Sequence, residues 1–182
     1  MNYLRKTGLF CLLMLALSAC AAFAQENPAD KRLSQEAEKK YDLAFQASIA
    51  HFEKADLLFQ KEQIDEAIEE LEKIIEIVFP EGTEERDGWK LKLDAHSFLG
   101  ELYLQKGQHE KSIQTLKSGI EIAPEISEQT YDLYMALGHA FKVTKDTDSA
   151  LDAFDKAQKI NETLREMKEK EEKSKSEAEE KN

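Results

Sequence analysis

The chain predicts an all-α fold: a right-handed solenoid of about three helix-turn-helix units, with a long N-terminal helix before them and a charged capping helix after. Three observations predict it. One pattern recurs, since Leu99-Gly100, Tyr103, Ser112, Leu116, Gly119 and Pro124 are echoed by Leu137-Gly138, Phe141, Ala150, Phe154 and Ala157. From Asn27-Pro28 to Gln60 there is no Pro or Gly, and apolar residues return at threes and fours. From Arg165 to Asn182 the chain is almost wholly Lys, Glu, Ser and Ala. A single helix pair of this kind cannot bury its apolar face, so copies stack and share one core.

The first segment, residues 1–24, reads as a signal peptide. Arg5 and Lys6 precede an apolar run from Leu9 to Leu17 that ends in small residues. That run is too short to span a bilayer. Two cleavage readings stand. Ala22-Phe23-Ala24 before Gln25 fits ordinary secretion and leaves a soluble periplasmic or secreted protein. Leu17-Ser18-Ala19-Cys20 resembles the lipobox of bacterial lipoproteins and is preferred, because a Cys directly after Leu-Ser-Ala closes the apolar run. That resemblance implies acyl chains on Cys20, and Ala21 in the next position implies the periplasmic side of an outer membrane. Cys11 leaves with the leader, so no disulfide within one mature chain is available.

The full chain carries a formal net charge of -12 in 182 residues, and loss of Arg5 and Lys6 with the leader moves it to -14. So acidic a chain repels nucleic acid and anionic lipid heads, which leaves a lipid anchor as the expected membrane contact.

Residues 25–47 then form a linker and helix, with Leu33, Ala37, Tyr41, Ala44 and Phe45 on a periodic face that continues through Ser48 into the first unit. The first unit, 48–81, is degenerate: Lys54 stands where the pattern has Leu, Glu62 where the turn has Gly, and Pro80 arrives one residue late. Pro80-Glu81-Gly82-Thr83 is a turn, and Thr83 with Glu84 and Glu85 predicts the start of the next helix. Gly88 inside that helix threatens to split it. The second unit, 93–126, has Gly107 closing its first helix and Pro124 ending its second. The third, 131–164, follows a Ser127-Glu128 cap. Residues 163–182 form a solvated capping helix fraying toward disorder.

Across these units the chain resembles tetratricopeptide-repeat proteins, over about Ile49 to Glu162. Small residues at Ala67, Ser112, Gly119, Ala150 and Ala157, and aromatics at Tyr103, Phe141 and Phe154, are the packing positions. The resemblance implies that the first helix of each pair lines a concave binding surface. Carried onto this chain, the groove comprises Phe52, Asp56 and Phe59, then Asp94, Ser97, Glu101 and Leu104, then Asp132, Met135, His139 and Lys142. Flanking positions are Ile49, Gln60, Gln105 and Val143. Acids beside bulky apolar residues suit a protein or peptide segment carrying Lys or Arg next to apolar side chains. The basic clamp with which chaperone-binding relatives hold a C-terminal carboxylate is missing.

No cofactor, metal or catalytic machinery is expected. His51, His96, His109 and His139 stand singly without ligand spacing, and packing explains His51 and His96. There is no phosphate-binding loop, nucleophile elbow or dinucleotide loop. The expected role is an exported scaffold or adaptor for protein-protein interaction in a bacterial envelope. The alternatives are a small-ligand or transporter-accessory binding protein, and a self-associating structural module that forms homo-oligomers.

Overall fold

The computed structural model describes residues 28–83 and 86–179, with side chains over 34–83 and 86–176. The leader, Cys20 and both cleavage sites lie outside the described residues. Among those residues six helices follow one another: α1 Pro28–Gln60, α2 Ile64–Glu76, α3 Asp87–Gln105, α4 His109–Ile122, α5 Glu128–Val143 and α6 Thr147–Glu179. The chain divides into two units, residues 1–39 and 40–182. Of the first, the described part is the opening of α1, exposed from Ser34 to Lys39 save half-buried Ala37.

Two apolar clusters stitch the helix pairs together. The first joins Ala55 of α1 and Ala67, Ile68, Leu71 and Ile74 of α2 to Ala95, Leu99, Leu102 and Tyr103 of α3. The second joins Leu93 of α3 and Leu116 of α4 to Leu133, Ala136, Leu137 and Ala140 of α5 and Ala153 of α6. Each cluster therefore crosses the junction between one pair and the next, as stacked repeats require.

The helix ends follow local chemistry. Ser127 caps α5 by accepting the Thr130 backbone N–H at 3.0 Å. The three turns inside the pairs each place one residue in the left-handed region: Glu62 at φ 61°, Gly107 at 73° and Lys145 at 64°. Only Gly107 adopts it without crowding a Cβ.

The connection from α2 to α3 departs from the predicted start at Thr83. The helix begins at Asp87, and Gly88 sits in its first turn instead of dividing it. The reason is an aromatic cluster. Phe79 is buried between the rings of Tyr41, 5.5 Å away, and Trp89, 5.9 Å away. The Gly88 N–H donates to the Tyr41 hydroxyl at 2.8 Å, and a Cβ on Gly88 would lie 2.5 Å from the Phe79 ring. Arg86 stacks 3.6 Å above Tyr41. The Thr83 hydroxyl serves this turn, donating to the Pro80 carbonyl at 2.6 Å and accepting from Trp89 Nε1 at 3.2 Å.

The C-terminal helix also differs from a fraying tail, since α6 runs unbroken to Glu179. Its exposed surface carries i,i+4 pairs such as Asp152 with Lys156 at 2.8 Å, and Lys168 reaches Glu128 of α5 at 2.8 Å.

Candidate functional site

The first helix of each pair contributes to one face, and the residues on it form two adjoining zones. Asp94, Ser97 and Glu101 from α3 meet Asp132, Met135, Ala136 and His139 from α5 around an open recess of about 340 Å³. Six of these seven are groove positions that the family resemblance implied; Ala136 is the exception. The second zone is an aromatic shelf, where Phe98 of α3 packs against Phe52 and Phe59 of α1 at ring distances of 6.3 and 5.3 Å.

The two zones differ at one matching position. Phe98 stands two residues before Gly100, and Ala136 stands two residues before Gly138. Between α1 and α3 the Phe98 ring fills the space, and between α3 and α5 the methyl of Ala136 leaves the recess vacant. Phe98 and Ser97 are chain neighbours, so α3 is the common wall of shelf and recess.

Not every predicted residue joins these zones. Leu104 is half-buried and packs against the second core cluster, because its side chain finds apolar neighbours there. Asp56 is exposed and accepts from the Gln60 amide at 2.6 Å on its own helix. Lys142 is exposed near the end of α5, outside the recess.

Burial and mutual repulsion act together on the carboxylates of the recess. Burial raises the Asp94 carboxyl above its ordinary range, the Gln129 amide opposes the rise, and the Asp132 charge adds to it. Glu101 reaches water at its tip, yet the recess walls strip enough hydration to raise it too, with His139 pulling it down and Asp132 pushing it up. Asp132 is raised by burial and by Glu128. Three carboxylates thus sit where burial penalises their charged forms, opposed only in part by Gln129 at Asp94 and His139 at Glu101. The chemistry such a site offers is reception of a positive charge.

Sequence reasoning missed a second electrostatic centre. Glu70 of α2 is 4% exposed and binds His51 Nδ1 at 2.6 Å, Lys54 Nζ at 2.6 Å and Lys73 Nζ at 2.7 Å. Desolvation raises its carboxyl, but the bonds from Lys54, Lys73 and His51 overcome that and hold it at about 2. The equivalent contact in the next pair is His96 Nδ1 with the Thr115 carbonyl at 3.1 Å. The shared nineteen-residue separation of the two contacts was the available signal.

Among the described residues no group of three His, Cys, Asp or Glu is arranged to hold a metal, and no helix is long and apolar enough to cross a membrane. No curated protein matches the chain significantly. Two solved structures are similar to it. The crystal structure of MamA is 23% identical with a TM-score of 0.53 over 65% of this chain, which spans 61% of that chain's length. The second TPR of Spaghetti (RPAP3), bound to the HSP90 peptide SRMEEVD, is 12% identical with a TM-score of 0.50, over 72% of this chain and 97% of that one. Both likenesses concern the fold. The family model for the tetratricopeptide repeat matches residues 49–77, 93–126 and 131–164. With three stacked helix pairs in register with that match, the chain belongs to the tetratricopeptide-repeat family.

Proposed function

We propose that this protein is a non-catalytic interaction scaffold whose concave face holds a partner segment bearing a bulky apolar side chain beside a Lys or Arg. The observation that carries this reading is the shared wall of α3, with the Phe52–Phe59–Phe98 shelf on one side and the Asp94–Glu101–Asp132 recess on the other. A cation entering the recess relieves the repulsion among the carboxylates, and an apolar neighbour covers the shelf. The Spaghetti domain is bound to a peptide ending in Glu-Glu-Val-Asp. An acidic recess favours a segment of the opposite charge. The recess is open and polar-walled, which suits a side chain on a peptide better than a small ligand needing full enclosure.

We also propose that the protein works in a bacterial envelope, exported and tethered through acylated Cys20 on the periplasmic side of an outer membrane. The leader from Arg5 to Cys20 supports this reading. One experiment addresses both parts: recovery of the native protein from envelope extract, with the intact mass of its N-terminus, beside Cys20→Ala and an Asp94→Lys, Glu101→Lys double variant. An acylated Cys20 and a partner lost on charge reversal, with helicity retained, are the expected results. An N-terminal Gln25 overturns the tether, and a partner retained by the double variant overturns the groove.

A further inference from the structure

The two junctions between successive helix pairs are built from matching positions. At the first, Ile68 of α2 shares a buried cluster with Leu99 and Leu102 of α3. At the second, Ile113 of α4 packs against the cluster containing Leu137 and Ala140 of α5. Leu57 of α1 follows Ala55 as Leu102 follows Gly100 and Ala140 follows Gly138. Leu151 of α6 follows Ala150 as Ile68 follows Ala67 and Ile113 follows Ser112.

The exposures diverge at the two ends. Leu102 is 2% exposed and Ile68 is 7% exposed, while Leu57 is 55% and Leu151 is 58% exposed. Leu43, four turns before Leu57 on the same stripe of α1, is 64% exposed. The α1 end therefore carries the receiving half of a junction, and the α6 end carries the donating half. Each lacks its counterpart among the described residues.

Charge repeats the correspondence. The first junction is pinned by an ion pair between Asp65 of α2 and Lys106 of α3. Asp148 of α6 precedes Ala150 as Asp65 precedes Ala67, and Lys61 follows Ala55 as Lys106 follows Gly100. In the same way Asp155 occupies the position of Glu72, and Lys54 occupies that of Leu99, two residues that line one recess at the first junction. The unmet α6 face thus offers Asp148 where the unmet α1 face offers Lys61.

We propose that copies of this chain associate end to end, the α6 face of one receiving the α1 face of the next. The partner's Leu57 lies over Leu151, and the partner's Lys61 pairs with Asp148. The contact is head-to-tail, so each added copy leaves a fresh face and growth continues beyond a dimer. Lys54 interrupts the apolar stripe and is held by Glu70 at 2.6 Å, which keeps the contact weak and dependent on concentration. The concave recess takes no part, so this proposal stands apart from the groove reading.

Sedimentation velocity tests it on the chain with its native N-terminus, in density-matched detergent, over two decades of concentration. The mass is expected to rise past that of a dimer. Leu57→Glu and Leu151→Glu are each expected to give a helical monomer, both side chains being exposed in the single copy. Mixed together, these two variants are expected to form a dimer and nothing larger, because each retains the face that the other lacks. Lys61→Glu should weaken association about tenfold or more, and mixing it with Asp148→Lys should restore the contact between them. A monomer at every concentration overturns the proposal. So does a self-limiting dimer of the unaltered chain, or association that survives either leucine substitution. The Asp94→Lys, Glu101→Lys variant should assemble as the unaltered chain does, which separates failure of the groove from failure of this interface.

Discussion

Lys145 and Glu62 hold a left-handed backbone that the equivalent Gly107 holds without strain. The strain on an L-residue there exceeds the chain entropy that glycine forfeits on folding. Lys145→Gly should therefore stabilise the third pair by about 0.5–1 kcal/mol, read as a higher urea midpoint with an unchanged slope. The exposed Lys145 side chain loses little in the exchange. This residue-level feature was half legible: the turn glycine at Gly107 and its replacement at Glu62 are visible in the sequence. The contrast between Phe98 and Ala136 was not. Neither belongs to the repeating pattern, and whether a ring fills a space or a methyl leaves it depends on which helices face each other across it.

Between elements, a polar cluster fastens α1 to α2 through Glu70. Its carboxylate is covered by its partners' side chains near the surface, so water still screens part of the attraction. With the folded carboxyl at about 2 and the unfolded one in the ordinary range near 4.5, the folded state prefers the ionised form. The stabilisation is complete above the unfolded value and drains away as pH falls from there toward 2. Glu70→Gln should consequently lower the melting temperature at pH 7, and the gap from the unaltered protein should close as the pH approaches that of full protonation. A gap independent of pH would mean that the side chain contributes through packing instead. The helices α1, α2, α4, α5 and α6 were legible from periodicity and caps, since these are local signals. The start of α3 was not, because Tyr41, Phe79 and Gly88 are brought together across forty-seven residues of chain by contacts that no window of sequence contains.

Over the whole molecule, repetition made the stacking and most of the recess legible, while the raised carboxyls come from charge that the stacking concentrates. Asp94, Glu101 and Asp132 have raised folded values, so the sign is opposite to that of Glu70: stability falls as pH rises from the unfolded carboxylate value through the raised one. Asp94→Asn should raise the melting temperature at pH 7 and weaken binding of a Lys- or Arg-bearing peptide. The melting gain should vanish at acidic pH, where Asp94 is already neutral. Binding by the unaltered protein should tighten as pH rises through the same range and loosen with added salt. A stabilised variant with undiminished binding would remove Asp94 from the recess chemistry. The alternation of Phe98 and Ala136 carries one more consequence. On the proposed groove reading, the two junctions differ at one slot, where Phe98 packs against rings of α1 and Ala136 lines an open recess. Exchanging those two residues should carry the opening one rung toward the N-terminus, provided the core beside Ala136 admits the ring, so on that reading the place where a partner's side chain enters is reset by a pair of substitutions.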